Sequence, residues 1–466
     1  MGYEPTRREF IGGSTVAALG FWLGNESARA ADPAPKEKLK VAAIGVGGKG
    51  GSDTQDLANG NICLAICDVD RGRLAGMAKS LEAKHGAVKT YTDYRKMFDE
   101  VKGLDAVTIS TPDHHHGPAA LMALTRGIAT FVQKPMAHTV AEVRLMREWA
   151  KKNKLASQMG NQGTSTGSLR EQVEIVQSGA IGAVKECHVW TNRPVWPQGL
   201  NRPTGEDPVP DSLDWDSWIG PAAMRPFKKG VYHPFNWRGF YDFGTGALGD
   251  MACHTLNMPF WGLKLGYPTS FQRVEADTIP DDTYPNWSTI RYEFPEREGL
   301  PACTLFWYDG SRFEEKEGVR RKVRNYPPKD KFPDGKIPNT GALLIGDKGV
   351  LVSSGDYADN SLLYPEADFK DYKKPKPFIP RSPGHMQEFV RACKGGDAAM
   401  SNFEYAGFLT EVVLAGCLAM RTDKKIEWDG PNMLAKGLPE LDKFIDKAYR
   451  QGWDLPGREL LKKGGR

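Results

Sequence analysis

Apolar positions in this chain fall into short runs separated by polar, helix-like stretches. One run covers residues 39–44 and ends at a cluster of glycines; a second covers 62–66 and leads to Asp68. Further runs at 104–109 and 129–132 alternate with stretches of helical character at 118–125 and 140–152. Apolar runs this short predict strands buried on both faces. Their alternation with helices predicts an α/β fold with a doubly wound parallel sheet, whose ligands bind beyond the carboxyl ends of the strands. The pattern changes after residue 160. A helix-like segment up to 177 and a strand at 183–190 precede a long irregular stretch with eight prolines between Pro194 and Pro234. Residues 346–349 read as a turn between strands, and helix-like stretches follow at 385–393 and 405–420. The expected division is a leader at 1–30, a nucleotide unit at 38–160, a second unit at 161–430 and a tail at 431–466 with no readable motif.

The glycines after the first run are spaced as Gly45-Val46-Gly47-Gly48-Lys49-Gly50, and Asp68 lies 18 residues further on. Glycines there allow a tight turn and close approach of backbone N–H groups to a pyrophosphate, while an acidic side chain at that distance accepts from ribose hydroxyls. Asp68 favours NAD, since a carboxylate repels a 2′-phosphate; Arg71 and Arg73 keep NADP open. Two motifs sit at later strand ends, Thr111-Pro112-Asp113-His114-His115-His116 and Gln133-Lys134-Pro135. Neighbouring histidines diverge and do not easily meet one metal ion, so one of the three is expected to line the nicotinamide crevice and the others to face solvent. Pro135 restrains Lys134 to an extended conformation that aims its ammonium past the strand end, where it suits proton transfer. In the second unit, Asp250 and His254 stand four apart, on one face if helical, as an acid/base pair would. Trp190, Trp196, Trp215, Trp218 and Trp237 cluster in and around the proline-rich stretch. Flat apolar faces of this kind suit stacking on sugar rings, with packing or a subunit contact an equal reading.

Charge changes the picture little: 62 basic against 58 acidic residues, net +4, is too small a surplus to indicate nucleic acid or an anionic membrane. The basic run Arg320-Arg321-Lys322 with Arg324 reads as a solvated loop. Seven cysteines without a Cys-x-x-Cys pair argue for free thiols, with Cys63 and Cys67 expected on one buried side of their strand. The leader changes more. Thr6-Arg7-Arg8-Glu9-Phe10-Ile11, an apolar stretch at 11–23 and Ala28-Arg29-Ala30 read as a twin-arginine signal, cleaved after Ala30, that uses the Tat machinery and delivers the chain to the periplasm. The apolar stretch falls short of the ~20 residues of a transmembrane helix, and no later segment approaches that length, so no membrane span is expected after cleavage. A nicotinamide cofactor has no pool outside the cytoplasm, so an exported enzyme must hold its cofactor tightly and regenerate it within each cycle.

Together these residues resemble the glucose–fructose oxidoreductase / inositol 2-dehydrogenase family, Gfo/Idh/MocA, over nearly the whole chain after the leader. The carriers are Gly45 to Gly50, Thr111-Pro112 with His116, Gln133-Lys134-Pro135 in place of the usual Glu-Lys-Pro, and Asp250-x-x-x-His254 behind a glycine turn. The resemblance implies a Rossmann domain followed by an α+β domain with an open mixed sheet, often a homo-oligomer, oxidising a hydroxyl of a sugar or polyol with bound NAD(P). It implies a cofactor site of Gly45, Val46, Gly47, Gly50, Asp68, Thr111, Pro112, His116, Gln133, Lys134 and Asn161, and substrate contacts at Trp237, Arg238 and His254. Lys134 and His254 become the proton-transferring residues and Asp250 orients the substrate or the histidine. Gln133 departs from the family glutamate and leaves Lys134 without that negative charge. Some relatives cleave glycosides by transient oxidation with no net redox change, which stands as the alternative activity; a binding protein without catalysis is a third reading.

Overall fold

The computed structural model describes residues 37–316 and 318–464, so the leader residues Arg7, Arg8 and Ala28 to Ala30 lie outside the described part. Six parallel strands form the first sheet: β1 Lys40–Ile44, β2 Ile62–Cys67, β3 Lys89–Tyr91, β4 Ala106–Ile109, β5 Ala129–Val132 and β6 Ser157–Met159. Their order, β3-β2-β1-β4-β5-β6, puts the switch of direction between β1 and β4. A crevice opens there beyond the strand ends. The central strands β1, β2, β4 and β5 are largely apolar because a core lies on each side of the sheet, one around Val41, Ala43 and Phe131, the other around Ala42, Ile44 and Val107.

Cys63 and Cys67 are buried free thiols, but they face opposite layers. The register between β1 and β2 shifts between the pairs Val41–Cys63 and Ala42–Ala65, so one residue of β2 is bulged and the two-residue alternation inverts. The helix after β4 is also longer than expected. It runs Asp113–Thr125 with Pro118 inside it, and so carries the three histidines on its first turns.

The second sheet has ten strands, β7 Val184–Trp190, β8 Ser270–Ala276, β9 Trp287–Phe294, β10 Cys303–Lys316, β11 Val319–Arg324, β12 Gly341–Gly346, β13 Val350–Ser354, β14 Asn360–Tyr364, β15 Ile426–Asp429 and β16 Leu434–Ala435; β7 is parallel to β10 and the other pairs are antiparallel. The turn at residues 346–349 joins the antiparallel strands β12 Gly341–Gly346 and β13 Val350–Ser354. The basic run is not a loop but a strand, Val319–Arg324, paired antiparallel with the far end of β10. Glu314 and Glu315 stand opposite Arg321 and Arg320, and cross-strand charges of opposite sign hold this exposed ribbon.

Helix Phe403–Ala419, capped by the Asn402 side chain, is almost wholly buried and returns to the first unit to pack on helix Val140–Lys152. Its one deeply buried charge, Glu411, is paired with Arg144 at 2.9 Å and Arg147 at 3.0 Å. A buried carboxylate without such partners would cost several kcal/mol, about 3–5 when one partner of a pair is removed. Among the described residues no helix is long and apolar enough to cross a membrane.

Candidate active site

A cleft of about 630 Å³ opens at the switch point and is lined by both units. Its floor is the glycine turn. Gly45 has φ 77°, and a Cβ there would lie 2.5 Å from the Ser110 carbonyl oxygen. Gly48, at φ 55°, precedes helix Lys49–Ala58, which has no side-chain cap; Gly50 and Gly51 donate back to the Gly47 and Gly48 carbonyls at 3.0 Å and 3.1 Å, and the positive end of the helix dipole faces the cleft. Asp68 braces this turn: one carboxylate oxygen accepts from the Val46 N–H at 2.8 Å and the other from the Asp70 N–H at 2.9 Å. Arg73 lies against Gly47 beside it, while Arg71 turns away to the Asp211 carbonyl. Space kept clear by glycines, an uncapped helix start and a carboxylate beside them fit the pyrophosphate and ribose of a dinucleotide.

Gln133 has a physical explanation in Asp53. Asp53 is buried and accepts from the Gln133 amide and from Ser110, both at 2.8 Å, and pairs with Lys49. A carboxylate therefore already occupies this spot from the helix side, and a neutral donor is the complementary neighbour. Lys134 finds its own negative partner elsewhere. Its ammonium donates to the Asp250 carboxylate at 2.9 Å and to the Asp250 carbonyl at 3.0 Å. Two of its three N–H donors are thus engaged, leaving one for a bound molecule.

Asp250 and His254 both lie on helix Gly246–Thr255 and both line the cleft. Burial alone would raise the Asp250 pKa, but the charges of Lys134 and Arg238, whose Nε lies 3.3 Å from its carboxylate, outweigh it and hold the group at about 2. Asp250 is therefore fixed as an anion and orients Lys134 and Arg238; its hydrogen bonds do not go to the histidine. Burial first, then the nearby Lys134 charge, presses His254 down to about 3, so its imidazole is neutral at any physiological pH. Its Nδ1 has no hydrogen-bond partner, and the ring is held by edge-on contact with Tyr357 at 5.0 Å. Arg238 lies under an aromatic canopy, 4.3 Å from the Phe235 ring centre and 4.4 Å from that of Trp237.

Thr111, Pro112 and Gln133 line the cleft with these groups, but Val46, His116 and Asn161 do not. Val46 packs its side chain into the core. His116 is buried between two loops, its ring nitrogens 2.9 Å from the Thr111 carbonyl and 2.7 Å from the Pro135 carbonyl, and as a neutral imidazole it donates to one of them. Asn161 is buried against Ser401, and its neighbour Gln162 faces the cleft instead. None of the three histidines is solvent-facing: His114 and His115 both meet the Trp218 carbonyl, and His115 alone lines the cleft. Of the five tryptophans, Trp190 is core, Trp215 stacks on Trp218 at 4.7 Å, and Trp196, Trp218 and Trp237 reach the cleft.

Sequence reasoning missed Arg193, Asp356 and Tyr357, brought to the cleft by loops of the second unit. It also passed over Asp113, which begins the histidine-bearing helix and accepts from the Thr245 hydroxyl at 2.8 Å. Burial, then the like charge of Asp250, raises its pKa from 3.8 to about 7. An acid whose folded pKa is raised costs stability as pH climbs from its unfolded to its folded value; the penalty is absent below about pH 4 and complete only above about pH 7. Asp113→Asn keeps an oxygen for Thr245 and removes the charge. It is expected to raise the melting temperature at about pH 8, where relief of the ionised form is worth up to about 4 kcal/mol, and to have little effect at about pH 3. Thermal unfolding across that range checks both ends.

Fold and cleft together define a two-unit, dinucleotide-binding α/β protein with an ionic cluster at the nicotinamide end. Family models match residues 39–161 as the NAD-binding Rossmann fold of the Gfo/Idh/MocA oxidoreductases and residues 175–303 as their C-terminal alpha/beta domain, together just over half of the chain. The chain belongs to the Gfo/Idh/MocA oxidoreductase family. It is 33% identical over 156 residues to a glycosyl hydrolase family 109 protein of Stenotrophomonas maltophilia, covering 32% of each chain. To an inositol 2-dehydrogenase of Salmonella typhimurium it is 30% identical over 155 residues, 32% of this chain and 45% of that one. The matched stretches thus span from about a third to under half of those relatives. The WlbA dehydrogenase from Bordetella pertussis, solved with NADH and UDP-GlcNAcA, shares the fold at a TM-score of 0.55 and 13% identity, with 84% of this chain and 99% of that one covered.

Proposed function

We propose that this protein is an NAD-dependent oxidoreductase that removes hydride from a carbinol carbon of a sugar or polyol, carried out of the cell by a twin-arginine leader with its cofactor held throughout. The observation that carries this reading is the convergence of Lys134, Asp250 and His254 on the cleft whose other end is the glycine turn. When bound, the nicotinamide ring supplies the hydride acceptor. The chain supplies the rest. Neutral His254 takes the hydroxyl proton, the free N–H of Lys134 steadies the charge that develops on the reacting oxygen, and Asp250 remains ionised to hold Lys134 in place. Trp196 and Trp237 offer apolar faces to a sugar ring, and Arg193, Asp356 and Gln162 offer polar groups to its hydroxyls. The inositol 2-dehydrogenase relative supports this substrate class.

A second reading has its own support in the glycosyl hydrolase family 109 relative. There bound NAD would supply reversible hydride uptake at one sugar carbon. The same residues would remove the proton acidified on the neighbouring carbon and protonate the departing glycosidic oxygen; water would add to the resulting double bond, and return of the hydride would leave no net redox change. Protein purified without added cofactor is expected to release about one nucleotide per chain on denaturation, identified by mass spectrometry. It is expected to reduce that nucleotide when given a free polyol or sugar. Glycoside cleavage with no net reduction would instead select the second reading, and a nucleotide-free preparation that binds NAD only weakly would remove the retained-cofactor proposal. Arg7→Lys with Arg8→Lys is expected to keep the protein in the cytoplasm; unchanged export would refute the leader.

A further inference from the structure

The tail, silent in sequence, runs back across the seam between the two units at the adenosine end of the cleft. Trp453 lines the cleft there with Val69, Asp93, Tyr94 and His115. Its ring stands edge-on to both Tyr94 and His115 at 5.7 Å, and the Arg95 guanidinium lies 3.8 Å over it. Arg95 also donates to the Gly452 carbonyl at 3.0 Å, so the nucleotide unit grips both backbone and ring. The other unit grips the same segment. Arg450 donates to the Gly220 carbonyl at 2.8 Å and pairs with Asp216 at 2.7 Å, and its own N–H reaches the Pro221 carbonyl at 3.0 Å. On either side the tail is pinned to helix Val140–Lys152: Lys447 and Tyr449 meet buried Glu142 at 3.3 Å and 2.7 Å, and Trp149 donates to the Gly457 carbonyl at 3.0 Å.

We infer that residues 447–457 are a strap built into the cofactor site, Trp453 walling its adenosine end, and that this strap is what retains the dinucleotide. The inference rests on reading the cleft as a nicotinamide dinucleotide site. A ligand lying between two units can leave when the units part or a wall moves, and this segment joins the units at the place where the wall stands. Removing the wall therefore accelerates departure far more than it slows arrival.

NADH loaded into the full-length protein gives the test, with its dissociation rate read by nicotinamide fluorescence after dilution into excess NAD. Trp453→Ala is expected to speed release by about tenfold or more. Asp216→Asn, on an exposed side chain that only anchors Arg450, is expected to speed release in the same direction with the fold intact, which circular dichroism checks. Hydrogen exchange of the 447–457 backbone is expected to slow on NADH binding. If wild-type protein binds NADH and both variants release it at the wild-type rate, or if exchange in the strap is indifferent to NADH, the strap inference is overturned. If wild-type protein fails to bind NADH at all, it is the cofactor reading that has failed, and this inference falls with it.

Discussion

Replacing Lys134 by methionine is expected to lower kcat by about 10²–10⁴-fold while leaving the nucleotide bound. Methionine keeps the length and apolar stem and deletes the ammonium. The loss is specific because two of the three Lys134 donors are taken by Asp250, at 2.9 Å and 3.0 Å, so the third is positioned rather than merely near. Arg238 reaches the same carboxylate at 3.3 Å, but from the aromatic side. The substitution also leaves Asp250 with one cation instead of two, a buried charge less well compensated, and part of any loss would reflect that disorder. The double variant Lys134→Met, Asp250→Asn separates the two effects. If it restores thermal stability but not turnover, the lysine acts on the reacting oxygen; if it restores turnover, the lysine only served to neutralise the aspartate. Bound nucleotide and single-turnover reduction are the two measurements. A fall in kcat below about tenfold with full nucleotide occupancy would show that Lys134 is structural.

The nucleotide unit was readable because its strands are short apolar runs ended by glycines or by chemistry-bearing residues, and β1, β2, β4 and β5 fall where those runs are. Errors arose wherever a local rule met a longer-range one. Residue alternation placed Cys63 and Cys67 together, and a bulge invisible in an apolar run separated them. Pro118 looked like a helix start, which hid the fact that Asp113 begins the helix and that all three histidines are buried on its first turns. Asp250 and His254 were found because four-residue spacing on a helix is written in the sequence, but their partners were not. Whether a carboxylate serves a histidine or a lysine depends on two chain segments 116 residues apart meeting in space. The substitution of Gln133 for glutamate looks like a missing charge in sequence, but in the fold Asp53 on helix Lys49–Ala58 bonds the Gln133 amide and Lys134 takes its negative partner from Asp250. Nothing in the composition of the tail marks Trp453 as part of a cleft, because its significance lies in Arg95 and His115 across the seam.

Gly50→Ala is expected to damage NADH binding sharply through a single added methyl. Gly50 does not need an unusual backbone angle; it needs space. A Cβ there would collide with the Gly45 carbonyl and lie 2.9 Å from the Ser110 Cβ. Neither neighbour can yield cheaply, since the Gly45 carbonyl belongs to the turn itself and Ser110 is tied to Asp53 at 2.8 Å. The helix start must therefore move away from the ends of β1 and β4. Overpacking of this kind costs about 1–3 kcal/mol of stability. The larger consequence is functional, because the glycine turn and the helix start lose their aim at the pyrophosphate. Losing one charge-assisted hydrogen bond is worth about 1.5–3 kcal/mol, which converts to roughly a 10- to 150-fold weaker NADH affinity. Gly76→Ala is the control: Gly76 lies within helix Arg71–His85, has ordinary helical geometry, and a Cβ there meets nothing within 4 Å. It is expected to bind NADH as the parent does and to gain stability by up to about 1 kcal/mol from helix propensity. NADH titration and thermal unfolding of both variants decide the matter; equal affinity in the two would mean that the glycine turn is not where the dinucleotide is held.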